Sequence, residues 1–307
     1  MRPHSFFSPL RYPGGKGMLS NYMQLVVQHN ELLDGHYAEV YAGGAAVAWA
    51  LLFDEYVRYV HINDISKPIS AFWQSVLGDT DALCKLINDT PVTMEEWRRQ
   101  KQVLSNLQDY GHLEIGFATF FLNRTNRSGI ITGGVIGGKA QSGVWKLDAR
   151  FNKQDLVARI QRIASYGNRI ILHNKNASDF LKTELPNLPA KTLVYLDPPY
   201  YVKGQGLYED YYVHEDHDEI SRLVEQSVKQ PWIVSYDATP TILFLYGGYR
   251  NIRYNISYSA QERYAGSEVM FFSEKLLIPP VQNPVTAKAS FRAKPVSVLL
   301  RDNATVP

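Results

Sequence analysis

A short apolar run that ends in two prolines constrains this chain more than any other feature of its sequence. Residues 193–196 read Leu-Val-Tyr-Leu, and they are followed by Asp197, Pro198, Pro199 and Tyr200. The run is typical of a buried strand, which must end at the prolines because they have no N–H group for a sheet ladder. In open α/β sheets, ligands bind beyond the carboxyl ends of the strands. We therefore predict that Asp197 and Tyr200 line a ligand crevice; an ordinary Asp-Pro turn is the alternative.

The order acid, proline, proline, aromatic also matches a chemical need. The exocyclic amine of a nucleobase is a poor nucleophile because its lone pair is delocalised into the ring. Two acceptors aimed at its N–H groups localise that lone pair, and an aromatic face holds the base by stacking. The Asp197 carboxylate and the Pro198 carbonyl can be the acceptors, with Tyr200 as the aromatic face. The quartet thus predicts chemistry on the amino group of a base.

Composition excludes several classes of protein. A chain of 307 residues, 45% of them hydrophobic, is typical of a globular protein with one large domain or two modest ones. A single cysteine, Cys84, excludes a disulfide framework and a cysteine-rich metal site, and we predict no bound metal. No apolar run approaches the roughly 20 residues that span a bilayer, so we predict a cytoplasmic protein that does not contact a membrane.

The net charge of +2 conceals an uneven distribution of charge. Residues 95–175 hold 13 Lys and Arg against 6 Asp and Glu, whereas the rest of the chain holds 19 against 24. One basic segment beside a mildly acidic remainder is the pattern expected for a partner with a phosphate backbone. A solvated basic face is the alternative.

Two glycines and an acid indicate a cofactor with a ribose. The strand predicted at 37–41 leads to Gly43 and Gly44, where no side chain prevents the backbone from approaching a ligand. Asp64 follows the next predicted strand about 20 residues later, the spacing at which an acid meets ribose hydroxyls. Helix capping by Asp64 is the alternative. The glycines do not form a G-x-G-x-x-G motif, which weakens a dinucleotide interpretation.

Two further segments are predicted to approach this cofactor. The glycine-rich loop at 14–17 can bring Lys16 close to a ligand, although a simple helix-start turn has the same composition. Asp179 and Phe180 follow a third strand predicted at 169–173. There the acid can accept from an adenine amino group, and the aromatic ring can cover the adenine.

The alternation of strands and helices stops between residues 76 and 165. Helical patterns there surround a glycine-rich loop at 128–138, and the segment is basic. We therefore predict a separate, mainly helical inserted domain at 76–165. A discontinuous catalytic domain at 1–75 and 166–278 and a loosely ordered tail at 279–307 complete the predicted organisation.

One helical pattern in this insertion ends in amide and guanidinium side chains. Asn123, Arg124, Asn126 and Arg127 are predicted to contact DNA, since Asn and Arg pair bidentately with adenine and guanine edges. A helix C-terminus favours Arg through the helix dipole as well, which is the alternative.

Taken in chain order, these motifs resemble those of the D12 class, or Dam-like, DNA adenine N6-methyltransferases. They are Gly14-Gly15-Lys16, Gly43-Gly44, Asn63-Asp64, Phe121-Leu122-Asn123-Arg124, Asp179-Phe180 and Asp197-Pro198-Pro199-Tyr200, and the likeness spans residues 8–275. The resemblance implies an α/β Rossmann-like methyltransferase fold, with a mixed seven-stranded sheet and helices on both faces. It also implies S-adenosylmethionine as cofactor and target recognition by the inserted domain.

The resemblance assigns roles by position. The implied cofactor contacts are Tyr12, Lys16, Glu39, Tyr41, Gly43, Gly44, Asp64, Ile65, Asp179, Phe180 and Asp197. The implied catalytic residues are Asp197, Pro198, Pro199 and Tyr200, and the implied DNA contacts are Arg11, Asn123, Arg124, Asn126, Arg127 and Thr132. Thr132 stands where members that recognise GATC have a guanine-reading arginine, so the resemblance does not extend to GATC.

We therefore hypothesise a site-specific DNA methyltransferase that rotates one adenine out of duplex DNA and methylates its N6 atom. A cytosine N4 methyltransferase, a protein glutamine methyltransferase and a non-catalytic DNA-binding regulator are the alternatives. A cognate restriction endonuclease, as in restriction-modification systems, is a second candidate partner besides double-stranded DNA.

Overall fold

A seven-stranded mixed sheet forms the centre of the computed structural model, which describes residues 7–11, 15–201, 212–258 and 264–289. For residues 256–258 and 264–266 it describes the backbone only. The strands are β1 Gly35–Glu39, β2 Val57–Asn63, β3 Ile170–His173, β4 Thr192–Leu196, β5 Trp232–Asp237, β6 Arg250–Tyr258 and β7 Tyr264–Phe272. The predicted α/β fold with a mixed seven-stranded sheet is confirmed.

The direction in which the sheet is built reverses between β1 and β4. The strand order is β3-β2-β1-β4-β5-β7-β6, and β7 runs antiparallel to β5 and β6 while the other neighbours are parallel. β1 and β4 pair directly, with Glu39 opposite Tyr195. Chain connections leave the two strands on opposite sides at such a reversal, so a crevice opens beyond their carboxyl ends.

Helices alternate with the first strands and then accumulate in the insertion. They are α1 Ser20–His29, α2 Ala46–Phe53, α3 Lys67–Gly78, α4 Thr80–Asp89, α5 Met94–Ser105, α6 His112–Thr125, α7 Lys153–Ala164, α8 Ala177–Asp179, α9 His214–Gln226 and α10 Pro240–Leu245. A π-helical turn, Phe180–Glu184, continues α8. Local signals explain where helices start: Ser66 caps α3 ahead of Pro68, and Thr93 caps α5.

Alternate residues of the central strands enter two hydrophobic clusters, one on each face of the sheet. On β4, Leu193 and Tyr195 join the cluster with α1, α2 and α3, whereas Val194 and Leu196 join the cluster with α9 and α10. All four side chains are fully buried. Burial on both faces explains why this strand is a continuous apolar run rather than an alternating one.

The insertion shares its core with the sheet. Phe120 and Phe121 of α6 are fully buried, and the Phe120 ring stacks on Phe72 of α3 with ring centroids 5.9 Å apart. Both rings belong to the cluster that also covers β1 and β4. The helices of the insertion therefore pack on α3, which contributes to both parts of the molecule, and the boundary of an independent recognition domain at residue 76 stays a prediction.

The chain after β7 departs from the predicted loose tail. Pro284–Thr286 form a short 3-10 helix, and the Asn21 side chain of α1 donates to the Ala287 carbonyl at 3.0 Å. Pro284 and Ala287 are buried. The prediction is wrong for residues 279–289, because a segment without periodicity can still pack through single apolar residues; residues 290–307 lie outside the described part.

Within the described residues, no helix combines the length and the apolar character that crossing a bilayer requires.

Candidate active site

Three neighbouring parallel strands bring the predicted residues to one edge of the sheet. Asp64 follows β2, Gly43 follows β1 and Asp197 follows β4, in the spatial order β2-β1-β4. The pairing of Glu39 with Tyr195 aligns the ends of β1 and β4. The Gly43 turn therefore emerges between the two acids, at the crevice where the sheet reverses.

Asp64 holds the glycine turn in shape. Its Oδ2 accepts from the Gly43 N–H at 2.8 Å, and its Oδ1 accepts from the Ser66 N–H at 3.0 Å. The turn contains positive φ angles at Gly43 (47°) and at Ala45 (50°). For a non-glycine residue this conformation costs roughly 1–3 kcal/mol, so the surrounding bonds must enforce it. A carboxylate has about four acceptor sites, so this capping role is compatible with binding a ribose.

The other predicted cofactor residues differ in exposure. Ile65 is 44% exposed and Asp179 is exposed, whereas Tyr41 is half-buried. Glu39 is buried and accepts from the Ala48 N–H in the first turn of α2 at 3.3 Å. Burial raises the pKa of Glu39 well above its usual range. Ile65 and Asp179 can thus meet a ligand directly.

The ring of Phe180 does not line the crevice. It is fully buried and meets His173 edge-on, with ring centroids 5.1 Å apart. The π-helical turn that follows Asp179 directs Phe180 into the core. The prediction that this ring covers an adenine is therefore wrong. Tyr12, also predicted at the cofactor, lies outside the described residues.

A buried lysine joins the predicted catalytic residues. The glycine loop leads into a 3-10 turn, Lys16–Leu19, and the Lys16 side chain is only 3% exposed. Its Nζ lies 3.0 Å from Asp197 Oδ1 and donates to the Tyr200 hydroxyl at 3.1 Å. The loop thus delivers a cation to the carboxyl end of β4.

Glu268 of β7 completes this network, although no motif in the sequence predicted it. The side chain is fully buried; Oε1 accepts from the Tyr200 hydroxyl at 2.7 Å and lies 3.4 Å from Lys16 Nζ. Oε2 accepts from the Tyr254 hydroxyl at 2.9 Å. The available signal was a single acid in the apolar run 268–272, since an acid is rarely buried in a strand without partners.

The network contains two carboxylates and one cation. Burial raises the pKa of Asp197 to about 6; Lys16 opposes this rise and Glu268 adds to it. Burial by itself would lower the pKa of Lys16, but Asp197, Tyr200 and Glu268 raise it well above its usual range. At neutral pH Lys16 is therefore charged and Asp197 is mostly ionised.

Asp197 and Tyr200 differ in how accessible they are. The Asp197 side chain is 19% exposed and follows the carboxyl end of β4, the edge of the sheet where the crevice opens. Tyr200 is 4% exposed, and its hydroxyl is fixed between Lys16 and Glu268. A ring this deeply buried can stack on a base only after neighbouring residues move.

Two of the predicted DNA contacts hold the protein backbone instead. Asn123 is fully buried; it accepts from the Arg11 N–H at 2.7 Å and donates to the Arg11 and Gly129 carbonyls. Asn126 is also fully buried, accepts from the Trp97 indole at 2.7 Å and donates to two carbonyls of the following loop. The prediction that these amides read base edges is wrong, because their hydrogen-bonding groups shape the loop after α6.

Basic residues cluster where the insertion meets the N-terminal segment. Arg124 donates to the Arg150 and Pro9 carbonyls at 2.8 and 3.4 Å. Burial, followed by repulsion from Arg11 and Arg159, lowers the pKa of Arg124 to about 9. Burial and Arg150 lower the pKa of Arg11, whose buried Nη1 has no hydrogen-bond partner among the described residues. An anion placed here would relieve this repulsion.

The remaining predicted DNA residues lie on the loop after α6. Arg127 and Thr132 are exposed, and the Arg127 N–H donates to the Gly134 carbonyl at 2.9 Å. The loop backbone is therefore fixed while both side chains face solvent. Their contact with DNA stays a prediction.

The sequence matches the family model described as D12 class N6 adenine-specific DNA methyltransferase over residues 12–260. The chain belongs to this family. As a D12 class methyltransferase it transfers a methyl group from S-adenosylmethionine to N6 of adenine in DNA, and the predictions of family, activity and cofactor are confirmed. The alternatives of a cytosine N4 enzyme, a glutamine methyltransferase and a non-catalytic regulator are set aside.

Several solved methyltransferase structures are similar to this D12 class methyltransferase at low identity. TrmK of M. capricolum, in complex with S-adenosyl-homocysteine, is 7% identical, with 82% of this chain and 69% of that chain covered and a TM-score of 0.35. The rRNA methyltransferase aviRa of Streptomyces viridochromogenes is 12% identical, with 81% and 82% covered and a TM-score of 0.34. Because these TM-scores are low, the fold is assigned from the strand order of the sheet. None of the curated proteins compared with the chain matches it.

Proposed function

We propose that S-adenosylmethionine binds in the crevice between β1 and β4, over the Gly43 turn. The residues present fit this cofactor: Asp64 lies beside the turn for the ribose hydroxyls, Ile65 offers an exposed apolar side chain to the adenine, and Asp179 offers an exposed acceptor. The absence of a G-x-G-x-x-G motif suits a cofactor without phosphate. When bound, the cofactor supplies an electrophilic methyl group.

Asp197 and the Pro198 carbonyl are proposed to hold the amino group of the target adenine. The ion pair with Lys16 at 3.0 Å orients the Asp197 carboxylate, and the exposed part of this side chain opens to the crevice. Accepting the N–H groups localises the nitrogen lone pair, and positioning two reactants supplies much of the rate. The cationic N6-methylammonium group that transfer produces is acidic and loses a proton to solvent afterwards, so Asp197 need not act as a base beforehand. Stacking on Tyr200 requires that the base displace its neighbours.

The basic cluster around Arg124 is proposed to contact phosphates of double-stranded DNA. Arg11, Arg150 and Arg159 lie close enough to Arg124 to share its electrostatic repulsion, and a phosphate would compensate this charge. In this proposal residues 76–165 recognise the target, and one adenine rotates out of the stack at a cost of a few kcal/mol. GATC is not the expected site, and a partner endonuclease remains a prediction.

The observation that carries the proposal is the partly exposed Asp197 side chain at the end of β4, the strand that pairs with β1 before the Gly43 turn. The test incubates the protein with duplex DNA and S-adenosylmethionine labelled in its methyl group, followed by nucleoside analysis. We expect the label in N6-methyladenine. Label in N4-methylcytosine or in protein would contradict the proposal, and sequencing of the methylated DNA would reveal the recognition site.

Methyl transfer should weaken as the pH falls below about 6. Burial raises the pKa of Asp197 to about 6, and protonation removes the charge that makes it a strong acceptor. Because Lys16 lowers that pKa, Lys16→Met should move the acid limb of the pH–rate profile to higher pH. Lys229→Met, at an exposed lysine, is the matched control and should leave the limb in place. An unchanged limb in Lys16→Met would contradict the network.

Asp64→Ala is expected to weaken S-adenosylmethionine binding by about 10-fold or more, because the Gly43 and Ser66 N–H groups lose an acceptor worth roughly 1–3 kcal/mol. At saturating cofactor the turnover rate should change less. Titration calorimetry measures the affinity. Ser66→Ala is the control, since it removes the helix cap and leaves the Gly43 turn bonded to Asp64. Equal affinity losses in the two variants would assign the effect to the helix and not to the turn.

A further inference from the structure

Trp145 is the exception among the five tryptophans of the chain. The buried ones are Trp49, Trp73, Trp97 and Trp232. Trp145 is 70% exposed, and its neighbour Val144 is 91% exposed. Two consecutive large apolar side chains in solvent are unfavourable unless something covers them in the working state, so this pair marks an interaction site.

The loop that carries this pair is well defined. The Gln141 amide makes three hydrogen bonds to the loop, donating to the Ile136 and Gly138 carbonyls at 2.7 Å and accepting from the Leu147 N–H at 2.9 Å. Gly137 has a φ of 84°, and a Cβ there would lie 2.7 Å from the Trp145 carbonyl. A glycine is thus required where the loop backbone approaches itself. The exposed pair is presented in a fixed position, which lowers the entropy lost on binding.

The charge around the pair selects a nucleic acid as the partner. Lys139, Lys146 and Arg150 are exposed, and residues 124–150 hold five basic side chains against one acidic side chain. A flat aromatic ring among cations matches nucleic acid, because phosphates pair with the cations while bases stack on the ring.

The loop begins next to the segment that leads to the active site. The Arg11 backbone is bonded in both directions to the Asn123 side chain of α6, and a Cβ on Gly129 would lie 2.3 Å from the Arg11 carbonyl. Lys16 follows Arg11 by five residues, so their Cα atoms are at most about 18 Å apart. The start of the insertion loop is therefore connected to the Lys16 network through a short stretch of chain.

We propose that Trp145 inserts into the base stack of DNA beside the target adenine and, with Val144 against the neighbouring sugar, fills the gap that the rotated adenine leaves. Apolar wedges of this kind partly unstack a base step and make rotation of a base less costly. The inference rests on the proposed function, since it assigns the residue that supports base rotation in the same reaction.

Fluorescence quenching tests the contact directly. Because the other four tryptophans are buried, quenching by acrylamide reports mainly on Trp145. Saturating duplex DNA that contains the methylation site should protect the quenchable component, and Trp145→Phe should lack that component. An unchanged quenching slope on DNA saturation would overturn the proposal.

Kinetics test whether the contact supports base rotation. Trp145→Ala should methylate paired DNA about 5- to 100-fold more slowly, the range expected for one lost stacking contact. Trp145→Phe should retain most activity. With an abasic site opposite the target adenine, Trp145→Ala should recover most activity, because that adenine is already unpaired. An equal loss on paired and abasic duplexes would overturn the gap-filling role.

The matched control is Leu277→Ala. Leu277 is 63% exposed, and its N–H is bonded to Asn30, which precedes β1 and so lies away from the crevice. This variant should behave as the unmodified protein on both duplexes. If the proposed function itself is wrong, the unmodified protein will methylate neither the paired nor the abasic duplex. That result is distinct from a failure of the role proposed for Trp145.

Discussion

Asp197→Ala is expected to lower the rate of methyl transfer roughly 100- to 1,000-fold, the effect of removing one preorganised group from a reacting centre. The carboxylate lies at the end of β4, is 19% exposed and is oriented by Lys16 at 3.0 Å. Without it, one N–H of the adenine amino group has no acceptor, and the nitrogen lone pair stays delocalised. Lys16 keeps Glu268 and Tyr200 as neighbours, so the fold should survive the substitution.

Single-turnover rates on duplex DNA measure this effect, and calorimetry measures the affinity for S-adenosylmethionine. Asp197→Asn keeps the shape and loses the charge, so an intermediate rate is expected. Asp89→Ala, at a surface acid paired with Lys85, is the control and should keep the normal rate. Normal turnover in Asp197→Ala would refute its role, and a loss explained wholly by weaker cofactor binding would assign Asp197 to the cofactor.

Glu268→Ala is expected to lower the free energy of unfolding by about 3–5 kcal/mol, the cost of removing one partner from a buried ion pair. Glu268 is fully buried, and its two oxygens accept from the Tyr200 and Tyr254 hydroxyls at 2.7 and 2.9 Å. Its Oε1 also lies 3.4 Å from Lys16 Nζ. The alanine leaves both hydroxyls without this acceptor and the lysine with a single carboxylate.

Urea denaturation measures the stability, and Glu268→Gln separates charge from shape. Glutamine keeps an acceptor for a hydroxyl but loses the charge that raises the pKa of Asp197. The acid limb of activity should therefore move to lower pH, opposite to the shift in Lys16→Met. Glu274→Gln, at an exposed acid just after β7, is the control. A Glu268→Ala protein within about 1 kcal/mol of the normal stability would show that the network does not support the fold.

Local signals in the sequence identified β1 to β4, although the strand predicted at 37–41 runs from Gly35 to Glu39. β4 ends at Leu196 as predicted, because the prolines after Asp197 cannot extend a sheet ladder. Gly43 and Asp64 were recognisable because a parallel sheet brings the ends of its strands to one edge, so the spacing along the chain translates into proximity. These features depend on residues that are adjacent in the chain or on the regular alternation of strands and helices. Both are visible in a sequence.

Tertiary packing alone determined the use of several polar and aromatic side chains. Asn123 and Asn126 have the chemistry to read bases, yet burial commits them to the backbone of a loop. Phe180 follows an exposed acid, yet a π-helical turn places its ring in the core. The residue type determines which contacts a side chain is able to make. Which of these contacts form depends on the residues packed around it.

The network around Asp197 shows most clearly which features the sequence determines and which features depend on tertiary packing. The sequence by itself determined that a carboxylate lies at the end of a central strand, and that a glycine loop carries Lys16 near a ligand. Only the folded chain brought Lys16 to Glu268, which is 252 residues away along the sequence. Such a contact depends on how β7 packs beside β5 in the sheet, and a pairing across that distance has no local pattern that would reveal it.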